Sequence, residues 1–600
     1  MVWDMFLREV KRQNRNGTQV SYLQLVHNEW DAAVRTSRTK ILYSFGRTDQ
    51  VDTAAIERLI VSLSRLLDPA AALRATSGSD LSFISSRPLG GTDVLDGLWR
   101  RLGIGTVMTK LLATRRGSAP FERVLFGLVA NRALAPSSKL AAADWISSDV
   151  HIDGLAEVSD DVCYRSMDWL HDVREQLEKE VFHQVANLLN LEVDLLFFDT
   201  TSTYFELDDA DEPVARDERG HPVTTDDDTA TKDGAATDTD TDGGATEDAG
   251  NPDPATTGEA ENSVGFRTWG KSKDSRDDLP QIVIGMAVTR DGIPVRVWCW
   301  PGNTSDSKLI RQVKDDMRDW TLSRVVWVAD RGFSSAANRR YLRRGDHHYI
   351  IGEKLRSDSP EIKTALSRQG RYTTVAANMR VKEVKVSESE RFVICHNPDA
   401  AQRDAHVRAE LLARLGELID GSDTLTDHKR GELAGRISTK PGLNRFLRTT
   451  PSGKLRIDTA KVKTEANLDG KYLLRSSDPT LSATDIAVGY KQLLEVERGW
   501  RDMKSIIDLR PVYHRLEDRI RAHVVLCWLA LLLIRVAETT TGQTWQTMRR
   551  ELHRLHAVTF TGPTGTFRQR TDPTKPQTDI YARLDLPLPK KIIEITPTSR

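Results

Sequence analysis

Apolar and polar residues alternate at 18–26 (TQVSYLQLV) and 39–44 (TKILYS), behind the turn-forming NRNG of 14–17. A period of two puts every second side chain on one face, so both segments are expected as strands. The spacing becomes that of a short amphipathic helix at 54–67. A polar stretch with Gly and Ser at 75–91 reads as a linker. From Thr92, a candidate N-cap for VLDGLWRRLGI, the pattern is helical through 107–113, 121–134, 137–146 and 162–189.

Periodicity disappears at 193–198, where all residues but Asp194 are apolar. That composition suits a strand buried on both faces, ending at Asp199 before Thr200, Thr201 and Ser202. Segments 281–288 and 293–300, joined through TRDG, form an expected antiparallel hairpin. A helix at 305–320 with Ser305 as N-cap follows. Next come a buried strand at 324–329 ending at Asp330, a helix at 336–344 and a strand at 348–351. A hairpin followed by β-α-β units is the order of a ribonuclease H-like sheet. In such a sheet the first and fourth of these strands lie side by side, bringing Asp199 and Asp330 together.

The stretch 353–484 reads as a separate block. Its expected strands are 371–377, 381–386, 391–396, 455–463 and 471–475, with helices at 402–419 and 427–436. Then Ser482–Thr484 open a helix that includes YKQLLEVERGWRDMK, 490–504. At about 100° per residue, Tyr490, Leu493, Glu497, Arg501 and Lys504 share one stripe. An apolar stripe of Leu493, Val496, Trp500, Met503 and Ile507 lies beside it. An apolar helix at 520–536 is expected to pack behind. The Thr- and Pro-rich tail shows one further helix, at 545–555.

The fold class is thus mixed α/β: a ribonuclease H-like core with a β-rich insertion between its last strand and last helix, plus an N-terminal helical region. The expected parts are 1–90, a strand and helix region; 91–189, helical; 190–352 with 485–538, the core; 353–484, the insertion; and 539–600, the tail.

Composition adjusts this picture. The chain has 600 residues, 39% hydrophobic and 28% charged, as a soluble multi-domain protein would. The longest apolar run, 524–534, falls short of the about 20 residues that span a bilayer, so no membrane partner is expected. The N-terminus lacks a signal-peptide pattern. Four scattered cysteines form no CxxC pair, which suits a reducing compartment, the cytoplasm, and argues against zinc.

The net charge of −1 hides an asymmetry. Between 207 and 261 stand 18 Asp and Glu against three Lys and Arg, leaving +14 on the rest of the chain. That acidic segment, without aromatics, is expected to be disordered. Its DTDTDGG lacks the Glu an EF-hand needs, since position twelve from Asp238 is Ala249. A basic body is compatible with a polyanion partner. Lys110, Arg115, Arg116, Arg123, Arg132 and Lys139 suit either a DNA-reading helix-turn-helix or a packed helical domain with solvated cations.

Three acids stand out: Asp199 and Asp330 at strand ends and Glu497 on a helix able to cover them. Oxygen ligands of this kind suit Mg²⁺. Two ions about 4 Å apart activate an attacking water or 3′-hydroxyl and stabilise the leaving oxygen at a phosphodiester. Arg331, Arg501 and Lys504 are placed for phosphate contacts, and Tyr490 for a hydrogen bond to a phosphate oxygen. Glu495 lies about 200° from Glu497 on a helix, off both stripes, so Glu497 is preferred. Asp306 reads as a helix cap.

The pieces DTTSTYFE, ADRGF and Y-x₂-x-x₃-E-x₆-K, with GKSKDSRDDLPQIVIG, PGNTSD and LRPVYHRLEDRIRAHV, resemble the DDE transposases of bacterial insertion sequences. They look most like the IS-four branch, whose third region reads Y-x₂-R-x₃-E-x₆-K. The resemblance implies cut-and-paste transposition on two Mg²⁺ ions, with Mn²⁺ as a substitute. It implies metal ligation by Asp199, Asp330 and Glu497 and phosphate contacts by Tyr490 and Lys504. The implied partners are terminal inverted repeats and target DNA, the implied assembly a homodimer pairing two ends, and the implied place the nucleoid. Leu493 stands where that branch has Arg. Residues 353–484 lack the Trp that some relatives use to hold a flipped base, leaving Tyr372, Phe392 and Tyr472.

Overall fold

The computed structural model describes residues 5–13, 19–31, 36–52, 56, 60, 81–113, 120–189, 191, 193–223, 263–320, 322, 324–386, 391–562 and 565–597. The helix expected at 54–67, apart from positions 56 and 60, falls outside these residues, as do Arg115, Arg116 and 224–262. Two compact units are present: 1–87 with 555–573 and 588–600, and 88–554 with 574–587.

In the larger unit nine strands form one mixed sheet: β1 (Leu195–Tyr204), β2 (Gln281–Val288), β3 (Pro294–Pro301), β4 (Val326–Ala329), β5 (His348–Glu353), β6 (Thr373–Ala376), β7 (Met379–Lys385), β8 (Arg391–His396) and β9 (Lys471–Ser476). Their order is β6-β7-β8-β9-β5-β4-β1-β2-β3. β1, β4 and β5 run parallel, and the other pairs are antiparallel. A parallel neighbour requires a crossover, and helix Ala336–Leu342 provides it between β4 and β5. Leu196, Phe198, Trp298, Trp327 and Ala329 meet Leu309, Ile310 and Val313 in the core on one face. This is a mixed α/β architecture with a multi-stranded sheet and flanking helices, consistent with a ribonuclease H-like transposase fold.

β1 does not stop at Asp199. Thr200–Thr203 are buried and mostly β-branched, and they continue the pairing with β2, so Asp199 lies mid-strand. Nor are the inserted strands free-standing: β9 pairs with β5, so β6–β9 extend the core sheet. Helices between β8 and β9, Pro398–Ile419 and Asp427–Ser438 among them, close on a small core of Leu415, Leu433, Ile437 and Phe446. The strand expected at 455–463 spans only Leu455–Ile457. Asp458 then caps helix Thr459–Ala466, accepting from the amides of Ala460 and Lys461.

Helices α1 (Gly90–Arg101), α2 (Phe121–Leu134) and α3 (Asp160–Leu189) precede the sheet in sequence. Thr92 is inside α1 rather than its N-cap, and its hydroxyl donates to the carbonyls of Leu89 and His151. The expected DNA-reading cations here mostly face inward. Arg132 and Lys139 are buried, and Arg123 is paired with Asp96 and Glu122.

The helix expected through 490–504 is two helices, α4 (Ala483–Lys491) and α5 (Leu494–Ser505). Ser482 caps α4 in a reciprocal box with Asp485. At the junction the amides of Gln492, Leu493, Glu495 and Val496 bond three residues back, tightening the turn. α6 (Glu517–Thr541) follows. It is long and apolar enough to cross a membrane by composition, but its apolar window is wholly buried in the unit. α7 (Trp545–Leu552) ends this stretch.

In the smaller unit, Met5–Gln13, Gln19–Asp31 and Thr36–Arg47 form an antiparallel sheet. A second sheet orders Ile592–Pro597, Gly565–Arg570, His556–Gly562 and Ser82–Pro88. The linker read at 75–91 therefore contains a strand. The tail beyond α7, read as largely patternless, holds three strands and helix Lys575–Arg583. All four cysteines are buried and unpaired with one another.

Candidate active site

Parallel pairing sets Ala329 of β4 opposite Phe198 of β1. The next residue on each strand is an aspartate, so Asp330 and Asp199 stand side by side at roughly the 4.8 Å spacing of paired strands. Phe198 and Ala329 point into the core. By alternation the two carboxylates project from the opposite face.

Helices α4 and α5 cover that face. Met286 pairs with Asp199 across β1 and β2, and a Cβ at Gly499 of α5 would lie 2.6 Å from its Cε. A side chain at this position would require the end of Met286 to shift. A Cβ at Gly489 of α4 would lie 3.3 Å from Leu195. The Tyr490 hydroxyl donates to Asp330 Oδ1 at 3.1 Å, and its ring stacks on Tyr472 with centroids 6.2 Å apart. Burial and the Asp330 charge raise the phenol's pKa, so it stays a proton donor.

Asp199 is pushed up to about 6, chiefly by burial. Lys273 opposes the rise, and the charges of Asp330 and Asp306 add to it. Lys273 Nζ donates to the Thr200 carbonyl at 2.6 Å and pairs with Asp306 Oδ2 at 3.0 Å. Asp306 is the first residue of its helix rather than its cap, which is Ser305, and its carboxylate is part of this cluster. Sequence reasoning passed over Lys273 and its role for Asp306. The only signal was the cation-bearing GKSKDSR following a strongly acidic segment.

α5 has two charged edges beside its buried Val496, Trp500 and Met503. On one edge Arg498 pairs with Glu538 at 3.3 Å and Asp502 with Arg535 at 2.6 Å, tying α5 to α6. Glu495 is on this side, its Oε2 2.8 Å from where a Cβ on Gly292 would stand in the β2–β3 turn. At about 100° per residue the opposite edge carries Glu497, Arg501 and Lys504. Glu497, Arg501 and Arg331 are exposed. Lys504 is not a free phosphate ligand: its Nζ pairs with Asp274 at 2.9 Å, and Arg510 holds the same carboxylate at 2.9 Å.

Asp199 and Asp330 are therefore together, with Tyr490 on Asp330 and the Lys504–Asp274–Arg510 group along α5. Glu497 stands on the edge of α5 that carries Lys504. Among the described residues no group of three or more His, Cys, Asp or Glu is placed to hold a metal ion. The paired aspartates by themselves fit a hard dication. The register sets them side by side, burial disfavours the charge on Asp199, and Mg²⁺ binds through one or two carboxylates plus substrate phosphates. Of the aromatics in 353–484, Phe392 is buried under Arg475 and Tyr472 packs on Tyr490. Tyr372 lies against His396.

Residues 255–533 match the family described as transposase DDE domain, a match consistent at the family level with a DNA-cleaving transposase. It spans Asp330, Tyr490, Glu497 and Lys504 and begins beyond Asp199. No curated protein matches the chain. A solved structure titled "Cryo-EM structure of piggyBac transposase synaptic complex with hairpin DNA" is similar at 11% identity and a TM-score of 0.32, over 77% of this chain and 79% of that one. A likeness this low carries no weight for fold or function. Residues 7–73 match the N-terminal domain of IS1634 family transposases. That finding corrects the IS-four assignment, which rested on a short signature whose Arg is Leu493 here. The chain is thus similar to DDE-type transposases over 255–533 and to the IS1634 family at its N-terminal segment.

Proposed function

We propose that this chain is a DNA transposase that cuts and rejoins the ends of its own insertion sequence by Mg²⁺-dependent phosphodiester hydrolysis and strand transfer. The observation that carries this reading is the register-fixed pair Asp199 and Asp330 beneath α4 and α5, with Tyr490 bonded to Asp330. Asp199 and Asp330 would hold the metal, with Glu497 supplying a third carboxylate from the edge of α5. Bound there, Mg²⁺ or Mn²⁺ supplies Lewis acidity, lowering the pKa of the attacking water or 3′-hydroxyl and neutralising the leaving oxygen. Tyr490 orients the Asp330 carboxylate and is a positioning residue. Arg331 and Arg501, exposed beside the site, hold the phosphate backbone. Lys504 contributes through Asp274 and Arg510, a group of net charge +1.

The partners in this reading are double-stranded DNA ends and target DNA, engaged by a homodimer at the bacterial nucleoid in the cytoplasm. Asp330→Ala is expected to abolish Mg²⁺-dependent cleavage of duplexes carrying the element's ends. Full cleavage by that variant would sink the assignment. The alternative reading is a transposase-derived protein that binds DNA without turnover. Specific end binding with no cut in Mg²⁺ or Mn²⁺ would select it.

A further inference from the structure

Behind α6, away from the carboxylates, a groove of about 800 Å³ runs between α7 and the first turn of α1. Its position follows from α6, which packs against β3 and α5 on one side and against α2 on another. One wall is basic. Trp545, Met548 and Leu552 bury one face of α7. Spacings of three, four and seven put Gln546, Arg549, Arg550 and His553 on the neighbouring face, which lines the groove together with Arg554. Arg554 pairs with Glu551 at 3.4 Å, while Arg549 and Arg550 have no ion-pair partner among the described residues. Trp145 and Asp149 lie on the other wall, and Asp149 is the one acid in the lining.

The basic wall is held rigidly. The Trp545 indole donates to the Ala133 carbonyl at 2.9 Å, and the Trp545 amide donates to Glu538 at 2.7 Å. Arg583 reaches the Thr541 carbonyl at 2.7 Å just before α7. Two arginines on a fixed helix and Arg554 just past its end, facing a wall with one acid, form a surface for a row of phosphates rather than for a single small anion.

We propose that this groove binds the backbone of duplex DNA outside the cutting site and holds the substrate while α4 and α5 act. The inference rests on the DNA-cutting reading for its choice of polyanion, and on the charge of the groove for its place. It moves the DNA contact from the helices at 91–189, whose Arg123, Arg132 and Lys139 are committed inside the fold, to α7.

The test uses the full chain and a 30-base-pair duplex of arbitrary sequence in EDTA, so that cutting does not enter. Fluorescence anisotropy across a salt series reads affinity and slope. R549A/R550A/R554A is expected to bind at least about tenfold more weakly, with a salt dependence flatter by about one unit per arginine lost. R549K/R550K/R554K should recover most of the affinity, and R403A/R414A, two exposed arginines on helix Pro398–Ile419 outside the groove, should match the parent. If the triple alanine variant melts early, the exposed single reversal R550E carries the same test. Affinity within twofold of the parent and an unchanged slope would overturn the proposal. So would poly-glutamate binding as tightly as DNA through the same arginines, which would identify an acidic polypeptide as the occupant. Parent protein that cuts DNA while the variants bind normally refutes the groove alone. Variants that lose binding in a protein that never cuts refute the cutting reading alone.

Discussion

The two charged edges of α5 are built from the same residue types and do opposite things. Arg498 and Asp502 face α6, where Arg535 is almost wholly buried between Asp502 and Glu538. There the charges fix the helix in place. Glu497 and Arg501 face outward on the other edge. One helix thus carries an anchoring edge and a working edge, and composition does not tell them apart. What separates them is which neighbour the Gly499 contact with β2 turns each edge toward.

Removing the anchor should have the largest effect. Arg535→Ala leaves Asp502 buried without its close cation and Glu538 with Arg498 alone, and should cost about 3–5 kcal/mol of unfolding free energy. Urea denaturation reads this directly, and a loss below about 1 kcal/mol would mean the anchoring edge is misassigned. On the working edge, Glu497→Gln should lower cleavage about 10³-fold, about 4 kcal/mol, with an unchanged melting temperature. Glu495→Gln should leave cleavage near the parental rate. If the two exchange behaviour, the edges have been read backwards.

A smaller effect should come from Asp199. Its folded pKa of about 6 exceeds the ordinary 3.8, so between those values the folded chain keeps a proton that the unfolded chain has lost. Stability of the metal-free protein should therefore be full below about pH 4, fall by at most about 1.4 kcal/mol per pH unit up to 6, and level off above. Asp93 and Glu178, raised by burial to about 6 and about 7, titrate in the same window, so the check is a comparison: Asp199→Asn should make the slope shallower than the parent's, and an unchanged slope would place the titration elsewhere. Smallest of all, Tyr490→Phe removes one hydrogen bond to Asp330 and should slow cleavage roughly tenfold, about 1.4 kcal/mol. The Mg²⁺ dependence should shift with it, whereas a purely structural tyrosine would change melting alone.

Much of the core was legible because its signals are local. The apolar run of 195–198, the TRDG hairpin and the strand before Asp330 each announce one element, and their order fixes which strands become neighbours. That order sufficed to place Asp199 beside Asp330. Two of the three N-terminal strands and α1–α3 were legible for the same reason, whereas the strand Met5–Gln13 was not read. By contrast, the tail strands at 556–570 and 592–597 were not seen, because their partners include Ser82–Pro88, more than 450 residues away. A strand that owes its stability to a distant edge leaves only a weak local pattern.

The sequence by itself determined the strand order that sets Asp199 beside Asp330. Helical angle alone also set Glu497 apart from Glu495. Tertiary structure decided everything that depends on neighbours. It broke the long helix at Leu493, gave Lys504 to Asp274, brought Lys273 to Thr200, drew β6–β9 into the core sheet and turned Arg132 and Lys139 inward. The physical reason is one of range. Side-chain period and strand order are carried along the chain, whereas the partner of a charge is whatever the fold sets within a few ångströms of it.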